Sequence, residues 1–123
     1  MQHYQLELTD TFAGEANYCW VKRMIIAIPD NASKLASVRA IKKALGLNGV
    51  RSHVSDFGDM WEIRPRGLCQ IAFANWTDEI YYNDIPISYN ENGLNDYMFK
   101  LDGKLYAFAT LDEAKTKIDK FLD

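Results

Sequence analysis

The sequence is poor in the residues that most narrow a functional class. Its two cysteines, Cys19 and Cys69, are too few to staple a small secreted fold, and neither belongs to a CxxC pair. Each sits in an apolar, strand-like stretch and is expected to be a buried free thiol. Two histidines, His3 and His53, leave too few ligands for a structural zinc site, so neither a metal nor a cofactor is expected. There is no GxGxxG, no Walker loop and no HExxH, which removes the common phosphate cradles and the metallopeptidase helix. The longest apolar run, Met24-Ile25-Ile26-Ala27-Ile28, is strand length. A membrane span needs about 20 residues, so no membrane contact is expected. The opening Met1-Gln2-His3-Tyr4-Gln5 lacks the basic and apolar regions of a signal peptide, and a cytoplasmic protein is expected.

Charge of one sign is also lacking, since the formal net charge is only −3. The balance is uneven along the chain. Residues 1–67 hold nine Lys/Arg against seven Asp/Glu, whereas residues 68–123 hold five against ten. The acidic second half would repel a phosphate backbone, but a local basic patch fits the first half.

What is present is a core. Hydrophobic residues make up 48% of the 123 and aromatics 13%, too many for a disordered chain. The length fits one domain over 1–123, with the shift in charge marking subdomains 1–75 and 76–123 as the alternative. Tyr4, Leu6 and Leu8 alternate with Gln5, Glu7 and Thr9, the period of a strand. A second strand runs from about Tyr18 to Ile28, and its apolar end reads as buried on both faces. After Pro29, Asp30 or Asn31 is expected to cap a helix whose apolar stripe is Leu35, Val38, Ile41 and Leu45. Arg39 and Lys43 project from it toward solvent, and Gly46 with Asn48-Gly49 stops it.

Strands follow at 50–55 and 60–64, joined by the turn Asp56-Phe57-Gly58-Asp59, and at 68–75. Trp76 to Glu79 read as connecting structure. Ile85 to Tyr89 reads as an edge strand because of Pro86. The strands at 97–101 and 105–109 are joined by Asp102-Gly103, a strong hairpin signal. Thr110 and Glu113 form a capping box for a last helix, with Leu111, Ala114, Ile118, Phe121 and Leu122 as its apolar stripe. Glu113 and Lys117 are spaced for an i,i+4 pair. The expected class is α+β: a mostly antiparallel sheet with two helices packed on it, in the order β-β-α-β-β-β-β-β-β-α.

Chemistry has few footholds. Cys19, His53 and Asp56 are the one conceivable Cys–His–Asp set, and no spacing brings them together. Asp56 and Asp59 read first as turn residues. No catalytic residue is assigned, and an enzyme is not expected. Binding has two candidate surfaces. The first is Trp76, Tyr81, Tyr82, Asp84 and Glu91, aromatic residues among carboxylates, a mixture suited to a protein interface. The second is basic: Lys22, Arg23, Arg39, Lys43, Arg51, Arg64 and Arg66, with Lys42 beside them, a candidate nucleic-acid surface.

The stretch Asp10-Thr11-Phe12-Ala13-Gly14-Glu15-Ala16-Asn17-Tyr18-Cys19-Trp20-Val21-Lys22-Arg23 resembles the opening of small phage, prophage and plasmid proteins. Their pattern is Asp-Thr, a variable residue, Gly-Gly-Glu-Ala-Asn-Tyr, a variable residue, then Trp-Val-Arg-Arg. This chain departs from it at Ala13 and Lys22. Leu45 to Arg51, Asp56-Phe57-Gly58-Asp59-Met60 and Arg64-Pro65 continue the likeness over roughly residues 4–75. Leu101 to Lys115 is similar to a hairpin–helix unit of phage accessory proteins and, in outline, to integrase arm-binding DNA modules. DNA-reading sheets of that kind carry several Arg or Lys on the exposed face, where this hairpin offers Lys100 and Lys104. The resemblance implies an accessory protein of a mobile element in a bacterial host cell, of the anti-defence, anti-CRISPR-like kind. Its implied action is to bind and inhibit a host defence complex through protein–protein contacts. The alternative is a nucleic-acid-binding accessory factor using the basic half.

Overall fold

The computed structural model describes the backbone of residues 1–12, 15–91 and 95–123, and the side chains of 1–11, 22–91 and 95–123. The chain divides into two compact units, Met1–Thr77 and Asp78–Asp123. Each is an antiparallel sheet with one helix, so the α+β class holds, with two sheets in place of one.

The first unit contains β1 (Gln2–Phe12), β2 (Glu15–Ile28), α1 (Lys34–Ala44), β3 (Ser52–Asp56), β4 (Met60–Pro65) and β5 (Gln70–Thr77). The sheet order is β2-β1-β5-β4-β3. Leu6 lies opposite Ala74 and Leu8 opposite Ala72, and Ile63 pairs with Ala72 in turn. These side chains share one face and meet Ile41, Leu45 and Leu47 in a single buried cluster. Each fully buried Leu or Ile there contributes about 1.5–3 kcal/mol. The apolar run of β2 is not buried on both faces. Ile28 is buried, but Met24 to Ala27 are half-buried, because β2 is an edge strand.

Helix α1 starts later than Asp30 or Asn31 would have it. Its cap is Ser33, whose hydroxyl accepts from the Ala36 N–H. Asp30 instead receives the N-terminal ammonium group at 3.0 Å. The buried stripe centres on Ile41 and includes Ser37, which leaves Leu35 60% exposed at its margin. The C-terminus closes as a Schellman motif: Leu47 N–H donates to the Lys42 carbonyl and Gly46 N–H to Lys43. Gly46 adopts φ +76°, which favours glycine, and Leu47 then drops into the core.

The second unit contains β6 (Ile80–Tyr82), β7 (Ile85–Tyr89), β8 (Tyr97–Leu101), β9 (Lys104–Phe108) and α2 (Leu111–Leu122), its strands ordered β6-β7-β8-β9. Strand β6 adds one element to the expected order. Its turn, Asn83-Asp84, has φ +50° and +65°, the two left-handed residues of a tight hairpin. Pro86 therefore lies on an inner strand. It is tolerated because the ladder of β7 with β8 begins only at Ser88–Met98, so no N–H is needed at 86. Asp102 and Gly103, at φ +53° and +78°, make the expected β8–β9 turn.

Helix α2 covers one face of this sheet. Leu111, Ala114 and Ile118 are buried, but Phe121 and Leu122 are exposed as the helix runs past the sheet. Thr110 Oγ1 accepts from the Glu113 N–H and donates to the Glu113 carboxylate, completing the capping box. Glu113 is thereby engaged, and Lys117 lies over the Tyr106 ring at 5.0 Å instead of pairing with it.

Candidate binding surfaces

The conceivable catalytic set is not assembled. Cys19 belongs to β2 and His53 to β3, the two opposite edges of one sheet. Three strands separate them, roughly 19 Å at the usual spacing. His53 is exposed, and Asp56, three residues on, falls on the other face of the strand. Asp56 has a structural task. Its Oδ1 accepts from the Gly58 N–H at 2.8 Å, and its Oδ2 lies 3.3 Å from Lys34 Nζ. These contacts, the Gly58 amide first, hold its carboxyl below the usual range. Cys69 is exposed, not buried, because it lies in the turn before β5 and not within the strand. The side chain of Cys19 lies outside the described residues. Among the described residues no group of three or more His, Cys, Asp or Glu is placed to hold a metal ion. No described helix is long and apolar enough to cross a membrane.

The aromatic and acidic set is divided. Trp76 ends β5 in the first unit, 52% exposed, and is strand rather than connecting structure. Tyr81, Tyr82, Asp84 and Glu91 belong to the second. Tyr82 faces inward, its hydroxyl donating to Asp119 of α2 at 2.9 Å, with Lys115 Nζ 5.5 Å from its ring. Desolvation, reinforced by that carboxylate, raises the Tyr82 pKa. Burial lowers that of Lys115. Asp84 sits in the strained turn, and Glu91 follows β7 at the surface. Tyr81 is different. It is 54% exposed and points away from α2.

Register shows what lies beside Tyr81. It pairs with Pro86, Ser88 pairs with Met98, Met98 with Ala107, and Lys100 with Leu105. All of these side chains share the face opposite α2. Pro86, Ser88, Met98, Lys100 and Leu105 line a shallow hollow of about 340 Å³. Leu105 is 63% exposed. An antiparallel sheet with one wet face normally turns polar residues outward. Here proline, methionine, leucine and tyrosine stand there, with one lysine. The alternation of Met98 with Tyr97 and Phe99 marked the inner and outer sets, but Leu105 beside Tyr106 left the orientation of β9 ambiguous from residues alone.

The basic set is also divided, and more informatively. Arg23 Nε lies 3.1 Å from Glu7, and Arg64 pairs with Glu62 at 2.9 Å. Lys22 and Arg66 are exposed. Arg39 and Lys43, with Ala40 and Lys42, form one wall of an open pocket of about 480 Å³, and Asn48 to Arg51 form the other. Lys42 Nζ donates to the Val50 carbonyl across it. Asn48 and Gly49 thus join four cations, Arg39, Lys42, Lys43 and Arg51, that the sequence had already singled out. Asn48-Gly49 read as a helix stop, which hid its second role as a pocket wall.

No family model, no curated protein and no solved structure matches the chain.

Proposed function

We propose that the chain acts by binding, as an accessory protein of a mobile element that docks on a protein complex of its bacterial host and blocks it. The observation that carries this reading is the apolar outer face of the second sheet. Tyr81, Pro86, Met98 and Leu105 present apolar surface there, and among the described residues nothing of their own unit lies over it. Tyrosine and methionine are enriched at protein interfaces, and an exposed apolar sheet face rimmed by charge suits a protein partner better than a polyanion. Exposed Glu79, Asp84 and Asp102 lie in or beside the turns of this sheet, with Lys100 and Lys104 as its cations, a mixture that suits a protein partner better than a polyanion. The resemblance to phage and plasmid accessory proteins supports a host machine as the target. Within the sequence-derived set, Tyr81 keeps the role of contact residue. Tyr82 serves the α2 packing.

The test is affinity capture of the tagged chain from nuclease-treated bacterial lysate, comparing wild type with Tyr81→Ser/Leu105→Glu by quantitative mass spectrometry. One complex held stoichiometrically by wild type and lost by the variant, at equal thermal stability, is expected. Capture that is unchanged in the variant, or absent with wild type, overturns the reading.

A further inference from the structure

Four cations converge on the pocket between α1 and the loop that follows it. Arg39, Lys42 and Lys43 come from the helix and Arg51 from the loop. The convergence is built rather than incidental. The Schellman turn buries Leu47 and sends the chain back along the helix. The Val50 N–H then donates to the Leu47 carbonyl, with Gly49 at φ +81°, and Lys42 ties the returning loop to the helix through the Val50 carbonyl. The Arg51 carbonyl in turn accepts from the Arg66 N–H, which fixes the loop to the edge of the sheet.

Among the described residues no carboxylate lines this pocket, and Arg39, Lys43 and Arg51 have no ion-pair partner. Elsewhere in the same unit Arg23, Arg64 and Lys34 each lie against an acid. Lysines in the last turn are favoured by the helix dipole, which accounts for Lys42 and Lys43. It does not account for Arg39, a turn further in, or for Arg51, outside the helix. Like charges gathered without counter-charge repel one another, and a bound anion relieves that cost.

We propose that this pocket is a binding site for a compact polyphosphate, such as the triphosphate of a nucleotide. Guanidinium groups from two elements offer forks that match pairs of phosphate oxygens. Lys42 keeps donors beyond the one it gives to Val50, since an ammonium has three. Four formal positive charges match three linked phosphates better than one. Among the described residues no aromatic side chain lines the pocket, so a base has no stacking platform there. Recognition falls on the phosphates, and the nucleobase is not read. A nucleic-acid backbone spreads its charge along a path and needs a stripe of free cations; Arg23 and Arg64 are paired with acids and, by register, stand on the sheet face away from Leu6, Ile63 and α1.

The experiment is calorimetric titration of the full chain with sodium tripolyphosphate, ATP, GTP and AMP at about 50 mM salt, where phosphate contacts are strongest. The first three bind with indistinguishable affinity, and AMP binds at least about tenfold more weakly, the loss expected for one or more charge-assisted hydrogen bonds. Arg39→Ala/Arg51→Ala weakens tripolyphosphate by at least about tenfold on the same grounds, while Lys117→Ala in the other unit changes nothing. Should the double variant melt below wild type, the single variants Arg39→Gln and Lys43→Gln carry the comparison. Absence of tripolyphosphate binding, or binding unchanged in stable variants, overturns the site. A preference between ATP and GTP overturns the phosphate-only recognition. Affinity for single-stranded oligonucleotides that rises with length and exceeds that for tripolyphosphate makes a nucleic-acid backbone the ligand and overturns the proposal. The outcome is independent of lysate capture, because the outer sheet face contributes no residue to this pocket.

Discussion

At the scale of single residues, position in the fold decides whether a polar side chain serves structure or remains free. Tyr82 reads in sequence as a member of a contact surface, yet it turns toward α2, as does Tyr97. Tyr97 is 1% exposed, and its ring centroid lies 4.9 Å from that of Tyr89 with the planes tilted by 42°. Loss of water, with Tyr89, Asp96, Asp112 and Glu91 adding to it, raises its pKa far above that of an ordinary tyrosine. The folded state therefore keeps this proton at a pH where the unfolded chain, with tyrosine near about 10, has released it. The stability that depends on it is intact below about pH 10 and is lost as pH rises from there through the folded value. Tyr97→Phe keeps the ring and removes the titration. Its urea midpoint is expected to fall less than that of wild type between pH 8 and pH 11. A parallel fall in both proteins would show that Tyr97 does not control alkaline stability.

At the scale of elements, the turns decide what was legible. Asp102-Gly103 and Gly46 announced the β8–β9 hairpin and the end of α1 because glycine is what a left-handed position favours. Asn83-Asp84 performs the same task without glycine, so no local signal marks β6, and Asp84 reads as part of a contact surface. The start of α1 was misplaced for a related reason: Asp30, Asn31 and Ser33 are all good caps, and only the tertiary contact of Met1 with Asp30 removes one from contention. The basic pocket was half legible. Its cations could be counted, but their separation from the paired Arg23 and Arg64 depends on strand register, which no local pattern encodes. The turn offers a direct check. Asp84 at φ +65° carries a cost that glycine does not. Asp84→Gly creates the favoured Asn-Gly hairpin dipeptide and is expected to stabilise the chain by about 0.5 kcal/mol, the left-handed strain relieved less the entropy glycine adds. Unchanged or lower stability in a thermal melt would mean that the Asp84 carboxylate has a stabilising partner; loss of the captured complex would restore Asp84 as a contact.

At the scale of the whole molecule, charge and architecture divide together. Residues 1–77 hold nine Lys/Arg and seven Asp/Glu, and residues 78–123 hold five and ten, so the excess of each sign belongs to one compact unit. The two proposed surfaces follow that division. The polyphosphate pocket uses only residues 39–51, and the outer sheet face uses only residues 81–107. They also differ in physics. A site held by four cations weakens steeply with salt, because bound phosphate displaces counter-ions, whereas an apolar face does not. Two binding activities with opposite responses are therefore expected from one chain. Raising salt from about 50 to 200 mM should weaken tripolyphosphate binding strongly while leaving the captured complex in place. Arg39→Ala/Arg51→Ala should lose the first activity and keep the second, and Tyr81→Ser/Leu105→Glu the reverse. Independent sites that share no residues normally behave additively, so the four-fold variant should lose both by the same factors as its parents. If either pair of substitutions weakens both activities, the surfaces are coupled, and the polyphosphate would then act as an effector of partner binding, a linkage that must appear reciprocally as tighter or weaker capture when tripolyphosphate is added.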